Sequence, residues 1–393
     1  MKTLDQAQVK GKTVLVRVDF NVPMKDGVIT DDRRIVQSLE TIEELLDKGG
    51  KVVLLSHLGR PKGEAKEEFS LKPVAEKLAE LLGREVQFLK DDKVVSDQVK
   101  TWVGELKEGE VALLENTRFH PGEEKNEDDF GKDLASLGDL YVNDAFGTCH
   151  RAHASNVGLA SRLPSYLGRL IEKELKAFQP ILEDPQRPYL AILGGAKVSD
   201  KIGILNHLID QVDGLVVVGA MAFTFLKAMG LETGHSLVEE DKLDLARDLM
   251  EKIADREIEF ILPVDVVVAK ELKEGIASKV VPIEEIDKDL AGFDIGPETV
   301  KRIALSVSKA ATVVWNGPAG AFETKPFDKG TEGIAQALAE SKAFTIIGGG
   351  DSAAAIQELG LEDKMDHIST GGGASLELLE GKDLPGIVAV ERS

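Results

Sequence analysis

Arginine and histidine recur at the ends of apolar runs in the first half of this 393-residue chain. Asp19 and Asn21 follow one run (RVDFNVP), His57 and Arg60 a second (SHLGRP), Arg118 and His120 a third (ENTRFH), and His150, Arg151 and His153 a fourth (NDAFGTCHRAH). Arg34 opens the first helical pattern. Planar guanidinium groups carried on separate strands suit a small, multiply charged phosphate or carboxylate ligand. The second half places glycines where the first half places arginines. These are Gly194-Gly195-Ala196, Gly219, Gly317 and Gly320 beside Asn316, Gly348-Gly349-Gly350 before Asp351-Ser352, and Gly371-Gly372-Gly373. A glycine between a strand and a helix lets backbone amides approach phosphate oxygens. Lys197 and Lys201 stand four apart, a spacing that puts them on one face of a helix starting there, at the positive end of its dipole. An anion such as phosphate would relieve that conflict; two solvated surface lysines are the alternative. Asp351 is a candidate ligand for Mg²⁺, which prefers carboxylate together with phosphate oxygens.

The elements that must position these residues alternate between strand and helix. Short apolar runs predict strands at Thr13–Val18, Lys51–Leu55, Val86–Leu89, Val111–Leu114 and Leu140–Val142. A second set lies at Tyr189–Leu193, Gly214–Val218, Glu259–Leu262, Ala311–Val314 and Ala343–Ile347. Helical periodicity separates them, as in Arg34–Asp47, Leu71–Leu82, Lys242–Ala254 and Glu332–Glu340. The expected fold class is α/β, with mainly parallel sheets in two similar-sized domains. A helix over Gly168–Leu182 and the turn-rich Asp184-Pro185-Gln186-Arg187-Pro188 mark the boundary. The expected division is 1–168, a connecting helix at 169–185, and 186–380. In open parallel sheets ligands bind beyond the carboxyl ends of the strands, where the residues above fall.

Composition narrows the function classes. A net charge of −21 argues against a nucleic-acid or anionic-membrane duty, so a site for an anion must be a local basic island. The single cysteine, Cys149, allows no intramolecular disulfide and suits a reducing compartment. The opening residues MKTLDQAQVKGK have no apolar core of a signal peptide, and no apolar run approaches membrane-spanning length. A soluble, cytoplasmic protein is expected. Cys149, His150 and His153 lack a further cysteine or carboxylate at metal-ligand spacing. Glu123-Glu124 and Glu127-Asp128-Asp129 are read as a solvated acidic helix start. Gln6 occupies the leading-glycine position of the one Walker-like candidate ending in Gly11-Lys12-Thr13, and no strand–helix junction carries G-x-G-x-x-G. The missing fingerprint counts against a two-domain dehydrogenase. The residues alone therefore point to phosphoryl transfer between a small acidic phosphometabolite and a Mg-nucleotide, where positioning and charge neutralisation dominate.

Eight segments in order, RVDFNVP, SHLGRP, ENTRF, NDAFGTCHRAHAS, GGAKVSDKI, WNGPAGAFE, GGGDS and STGGGASLELLEGK, resemble the phosphoglycerate kinase family from about residue 13 to the C-terminus. The resemblance implies two Rossmann-like domains joined by a helical hinge, a monomer, and a C-terminal segment 381–393 packing back on the first domain. It implies transfer of the acyl phosphate of 1,3-bisphosphoglycerate to MgADP, giving 3-phosphoglycerate and MgATP. By motif, Asp19, Asn21, His57, Arg60, Arg118, His150 and Arg151 would hold the phosphoglycerate, and Arg34 would stabilise the phosphoryl group in flight. Lys197 and Lys201 would bind phosphate, with Lys201 moving in on closure. Gly349, Gly350 and Gly371–Gly373, with Gly372 central, would present amides to the transferring group. Gly195, Ala196, Gly219, Gly348 and Ser352 would line the nucleotide site, with Asn316 near the phosphates, Glu323 near the ribose and Asp351 acting through Mg²⁺. A non-catalytic sensor on the same fold would be expected to have lost Arg34, Lys197 or Lys201, and all three are present. Two departures stand out. Leu39-Glu40-Thr41-Ile42 replaces the family's Leu-Pro-Thr-Ile, which should straighten the first helix. Cys149 replaces a small residue and is expected to be an incidental reactive thiol.

Overall fold

The structure, a computed structural model, describes residues 1–393. Its contacts divide into two compact units: Met1–Lys176 with Asp383–Ser393, and Ala177–Lys382. In the first unit the strands are β1 (Thr13–Arg17), the short hairpin β2 (Met24–Lys25) and β3 (Val28–Ile29), β4 (Lys51–Leu55), β5 (Val86–Leu89), β6 (Val111–Leu114), β7 (Leu140–Asn143) and β8 (Ser165–Leu167). The intervening helices are α1 (Arg33–Asp47), α2 (Lys72–Leu82), α3 (Asp97–Glu105) and α4 (Asp128–Ala135), and α5 (Arg169–Glu183) spans the unit boundary. Six strands form a parallel sheet in the order β5-β6-β4-β1-β7-β8. Chain order reverses at β1, so the crevice beside its carboxyl end is the topological switch point. There Arg17 stands opposite Leu55 of β4 and Asn143 of β7. The strands read as near-continuous apolar runs because helices cover both faces; Val14, Val16, Val52, Leu54, Leu113 and Ile42 share one buried core.

The second unit repeats the plan. Its strands are β9 (Tyr189–Leu193), β10 (Gly214–Val217), β11 (Glu259–Ile261), β12 (Asp265–Ala269), β13 (Lys279–Pro282), β14 (Ala291–Ile295), β15 (Thr312–Asn316), β16 (Phe344–Gly348) and β17 (His367–Ile368). Its helices are α6 (Ile202–Leu208), α7 (Met221–Ala228), α8 (Leu243–Asp255), α9 (Pro297–Lys309), α10 (Lys329–Glu340), α11 (Gly350–Glu358) and α12 (Gly372–Leu379). The parallel sheet runs β11-β10-β9-β15-β16-β17, with its switch point between β9 and β15. Trp315, fully buried on β15, anchors its core.

Several expectations need correction. A three-stranded antiparallel sheet, β13-β12-β14, accompanies the second parallel sheet and was not anticipated. β15 extends past Val314 to Asn316, which brings that asparagine level with Leu193 and Gly348. Lys197 and Lys201 do not share a helix face. Lys197 is exposed in an irregular stretch after β9, while Lys201 ends a 3-10 turn (Ser199–Lys201) and is buried. The buried Val198 draws that segment inward and delays α6 to Ile202. Glu123 is fully buried instead of solvated. Cys149 is buried and unpaired, and burial raises its thiol pKa, so it is not a reactive surface group. α1 runs unbroken for 15 residues with Glu40 on its exposed side, as loss of the proline predicts.

The last helix, α13 (Pro385–Arg392), belongs to the first unit and lies against β7 and β8. The Gly386 N–H donates to the Cys149 carbonyl at 2.9 Å, and Asn143 Nδ2 donates to the Gly386 carbonyl at 3.1 Å. Val390 is fully buried in this seam. Val390→Ala removes two buried methyl groups at roughly 0.8 kcal/mol each and leaves a cavity, so unfolding in urea should show a loss of about 2 kcal/mol. Val36→Ala, on the exposed side of α1, should change stability by less than about 0.5 kcal/mol.

Candidate functional site

In the first unit the candidate residues gather around a buried arginine that sequence reading passed over. Arg17, the last residue of β1, is 1% exposed. Its Nε donates to Ser155 Oγ at 2.8 Å, and Ser155 in turn donates from Oγ and from its backbone N–H to Glu123. The buried cation is thus balanced by a buried carboxylate through one hydroxyl. Nη2 of Arg17 lies 3.0 Å from His57 Nδ1. A guanidinium can only donate, so His57 Nδ1 accepts and its proton resides on Nε2. Burial, then the charges of Arg17, Arg118 and Arg34, push the His57 pKa well below its usual value. His57 is therefore a neutral donor, suited to an anionic oxygen.

Loops fixed by buried polar groups carry the rest. Arg34, in the first turn of α1, donates from Nη1 to Asp19 Oδ2 at 2.6 Å, which relieves a cation at a helix N-terminus. Asn21 Oδ1 accepts from the Gly59 N–H at 2.9 Å, and Arg118 Nη1 donates to the Gly59 carbonyl at 2.8 Å. Asn116 ties three strands of chain together, donating to the Leu58 and Phe69 carbonyls and accepting from the Arg118 N–H. Glu115 accepts from Ser70 Oγ and the Leu71 N–H. Arg151 Nε donates to His150 Nε2 at 3.2 Å. Arg60 and Arg151 are exposed, whereas Arg118 is 4% exposed with Glu124 at 3.3 Å. Burial, followed by Arg17, Arg118, Arg151 and His150, brings the His153 pKa down to about 3. Arg17 and Arg118 act on both His57 and His153, Arg34 on His57 and Arg151 on His153, so these four arginines share one neighbourhood; Arg17 is the added member. An arginine closing an otherwise apolar strand was the available signal.

In the second unit the strand ends approach so closely that glycine is required. A Cβ on Gly194 would overlap the Gly317 and Pro318 carbonyls, and one on Gly219 would sit 2.6 Å from the Gly195 nitrogen. Gly195, Gly219, Gly317 and Gly349 all have positive φ, at 125°, 73°, 95° and 88°. Lys201 Nζ donates to Asn316 Oδ1 at the end of β15. Burial lowers the Lys201 pKa to about 8, opposed by Asp200, Asp351 and Glu380. Asn316 Nδ2 is buried without a hydrogen-bond partner and faces the Gly348-Gly349 turn. An anionic oxygen there would satisfy both groups. Gly350 and Gly372 open α11 and α12, and a Cβ on Gly372 would lie 3.9 Å from the Gly350 nitrogen, so two helix N-termini adjoin. Ser352 is buried and its Oγ accepts from the Gly317 N–H at 2.7 Å, holding the turn. Glu323 and Ala196 are exposed.

A cavity of about 360 Å³ adjoins these turns, lined by Gly195, Ala196, Gly219, Phe223, Val266, Phe293, Pro318 and Ala321, with Asp294 and Asp351 as its charged members. Its apolar wall suits a planar ring system. Asp351 follows Gly350 in α11 and offers a hard carboxylate beside it, the chemistry that Mg²⁺ shared with phosphate takes. A roomier cleft of about 540 Å³ in the first unit is lined by Lys2, Arg162, Tyr166 and Ser393 and touches none of the candidate residues.

Two parallel α/β units, one collecting cations and the other glycine turns at its switch point, define a two-domain enzyme of small-molecule phosphoryl transfer. The family model for phosphoglycerate kinase matches residues 4–382. A phosphoglycerate kinase of Finegoldia magna is 57% identical over 390 residues, covering 99% of each chain, and one of Dictyoglomus turgidum is 55% identical over 389 residues, covering 99% of this chain and 98% of the relative. The solved phosphoglycerate kinase of Coxiella burnetii superposes with a TM-score of 0.90 at 43% identity, over 99% of this chain and 98% of that one. The Pyrococcus horikoshii structure gives 0.87 at 33%, over 100% and 98%. The chain belongs to the phosphoglycerate kinase family, whose members are phosphotransferases of glycolysis. No helix is long and apolar enough to cross a membrane.

His153 yields a pH test. Its folded pKa of about 3 lies below the unfolded value of 6.5, so below pH 6.5 the unfolded chain binds the extra proton. Its stability contribution is complete above pH 6.5 and is lost as pH falls towards 3, at about 1.4 kcal/mol per pH unit. Urea unfolding at a series of pH values should show that slope reduced by this amount in His153→Gln.

Proposed function

We propose that this chain binds 3-phosphoglycerate or 1,3-bisphosphoglycerate on the cationic cluster of its first unit and MgADP or MgATP on the glycine turns of its second. The observation that supports this most is one of placement: in both sheets the candidate groups lie at the carboxyl ends of the strands flanking the switch point. In the first unit Arg60, Arg118, Arg151 and His150 neutralise the substrate's anionic groups, and neutral His57 donates from Nε2. Asp19 and Asn21 set the loop and orient Arg34, whose guanidinium is released from Asp19 to the phosphoryl group. In the second unit Lys197 and Lys201 meet phosphate oxygens. Amides of Gly349, Gly350 and Gly372 line the path of the transferring group, and Asn316 Nδ2 gains its missing partner. The apolar cavity takes the base, and Glu323 takes the ribose. Asp351 would hold Mg²⁺, which neutralises phosphate charge when bound with the nucleotide.

Transfer is direct and in line, after the two units close on both substrates. No general base is required, because the acceptor carboxylate of 3-phosphoglycerate is already ionised at neutral pH. Catalysis is then positioning and charge stabilisation. We further propose that the protein is a cytoplasmic monomer without a nucleic-acid or membrane partner, consistent with its net charge of −21.

The reaction is tested with 3-phosphoglycerate and MgATP, coupled to glyceraldehyde-3-phosphate dehydrogenase and NADH. NADH loss should require both substrates and Mg²⁺; silence from folded protein would refute the assignment. Lys201→Ala should lower kcat by about 10²–10³ with little change in nucleotide KM, because its ammonium acts on charge that develops during transfer. Near-normal turnover in that variant would remove the role.

A further inference from the structure

Asp294 is the buried carboxylate of the second unit's cavity, and no role proposed above uses it. It lies on β14, is 3% exposed, and belongs to the cavity lining. Neither oxygen has a cationic partner. Oδ1 accepts from the Ile295 N–H at 2.8 Å, and Oδ2 accepts from the Gly330 N–H at 2.7 Å, in the first turn of α10. Two glycines close around the carboxyl group, since a Cβ on Gly320 or on Gly330 would overlap Oδ1. Asp294 is therefore hydrogen-bonded just past the end of one loop, at Gly330, and packs tightly against Gly320 near its start. That loop contributes Pro318, Ala319 and Ala321 to the cavity and carries Glu323 at its exposed turn. Its other ties are the Ala319 N–H to Thr331 Oγ1 at 3.0 Å and the Ala321 N–H to the Phe293 carbonyl at 2.9 Å.

We propose that Asp294 is a positioning residue for the nucleotide: its ionised carboxylate holds the Gly317–Asp328 loop in the shape that closes one wall of the cavity. This rests on reading that cavity as the nucleotide site. The donors facing the carboxyl group are all backbone N–H groups, those of Ile295, Gly330 and Lys329, so its oxygens serve as acceptors. An amide NH₂ in place of one oxygen, or a proton on it, sets donor against donor and weakens either the Ile295 bond that orients the carboxyl group or the Gly330 bond that holds the loop. Burial raises the Asp294 pKa to about 7, with Asp328 at the head of α10 pushing in the same direction. The Ile295 and Gly330 hydrogen bonds and the α10 N-terminus favour the anion. The other charges nearby are also committed: Lys329 pairs with Glu332 and Asp328, and the Asp265 carboxylate on β12 accepts from Glu298 and Thr299. Asp351 shares the cavity lining. No neighbouring cation masks the ionisation of Asp294.

The test is steady-state kinetics of the full chain and of Asp294→Asn from pH 6 to 8, with MgADP, MgATP and 3-phosphoglycerate varied in turn. At pH 8 the variant should show nucleotide KM raised about 10-fold, as loss of one hydrogen bond to a charged group implies. Its kcat and 3-phosphoglycerate KM should stay within about twofold. The ratio of variant to native nucleotide KM should fall towards 1 as pH drops to 6, because the native carboxyl group then carries a proton too. Ionisation of the nucleotide acts on both proteins and cancels in that ratio. A ratio near 1 at pH 8, a ratio flat with pH, or an equal fall in kcat for both substrates would overturn the proposal. Should Asp294→Asn fail to fold, Gly320→Ala, which drives a methyl group into Oδ1, must show the same raised nucleotide KM or the proposal fails. Ala321→Phe, which fills the cavity, separates the two readings. An unchanged nucleotide KM in that variant refutes the cavity as the nucleotide site and the proposal with it, whereas a raised KM beside a normal Asp294→Asn refutes the positioning role alone.

Discussion

Burying a guanidinium is costly unless its charge and its donors are met, and Arg17 imposes that constraint on the first unit. Satisfying it recruits Ser155 and Glu123 from segments far apart in the chain, and His57 from the end of the neighbouring strand. The result is a fixed positive field at the switch point. Burial, reinforced by that field, keeps His57 and His153 neutral, while the more exposed Arg60 and Arg151 stand at the surface of the unit. The proposed site for a charged metabolite thus stands on a buried charge network that the metabolite need not touch.

The second unit meets a different constraint, that of backbone approaching backbone. Where Gly194, Gly219 and Gly317 converge there is no room for side chains, so the amides form the surface. Asn316 and Lys201 then supply the few side-chain groups that reach it. The two units also share one device. Asp144, just after β7, accepts from the Leu170 N–H at the start of α5 and is crowded by Gly168, as Asp294 is crowded by Gly330 at the start of α10. Burial raises both carboxyl pKa values, to about 8 and about 7. Each ties a strand to the helix start beside it. In the first unit Thr41 and Glu44 of α1 add to that anchor through the backbone and side chain of Arg169.

Much of this was legible from residue order. Short apolar runs located ten of the twelve strands of the two parallel sheets within one or two residues, because strands buried on both faces carry no alternation to confuse them; the edge strands β8 and β17, only three and two residues long, were missed. Arginines and glycines at strand ends marked the two candidate sites, because the carboxyl ends of parallel strands are where ligands bind. Glu123 was misread because a Glu-Glu pair looks solvated until a distant Ser155 is known to face it. Lys201 was misread because i,i+4 spacing is an argument about a helix, and the helix begins one residue later. The antiparallel sheet escaped because Pro263 and polar residues around Asp265 and Asp294 hide strands whose polar groups are satisfied by helix starts.

By itself the sequence determined the alternating α/β plan, the sign of charge each half brings to its strand ends, and the need for glycine at the turns. These follow from local rules: hydrophobic period, side-chain charge and backbone freedom. Only the tertiary structure decided which polar groups are buried and what satisfies them. Arg17, Glu123, Asn116, Asp144 and Asp294 look like ordinary polar residues along the chain. Each becomes a positioning group because its partner lies in a different segment, and desolvation makes the pairing obligatory.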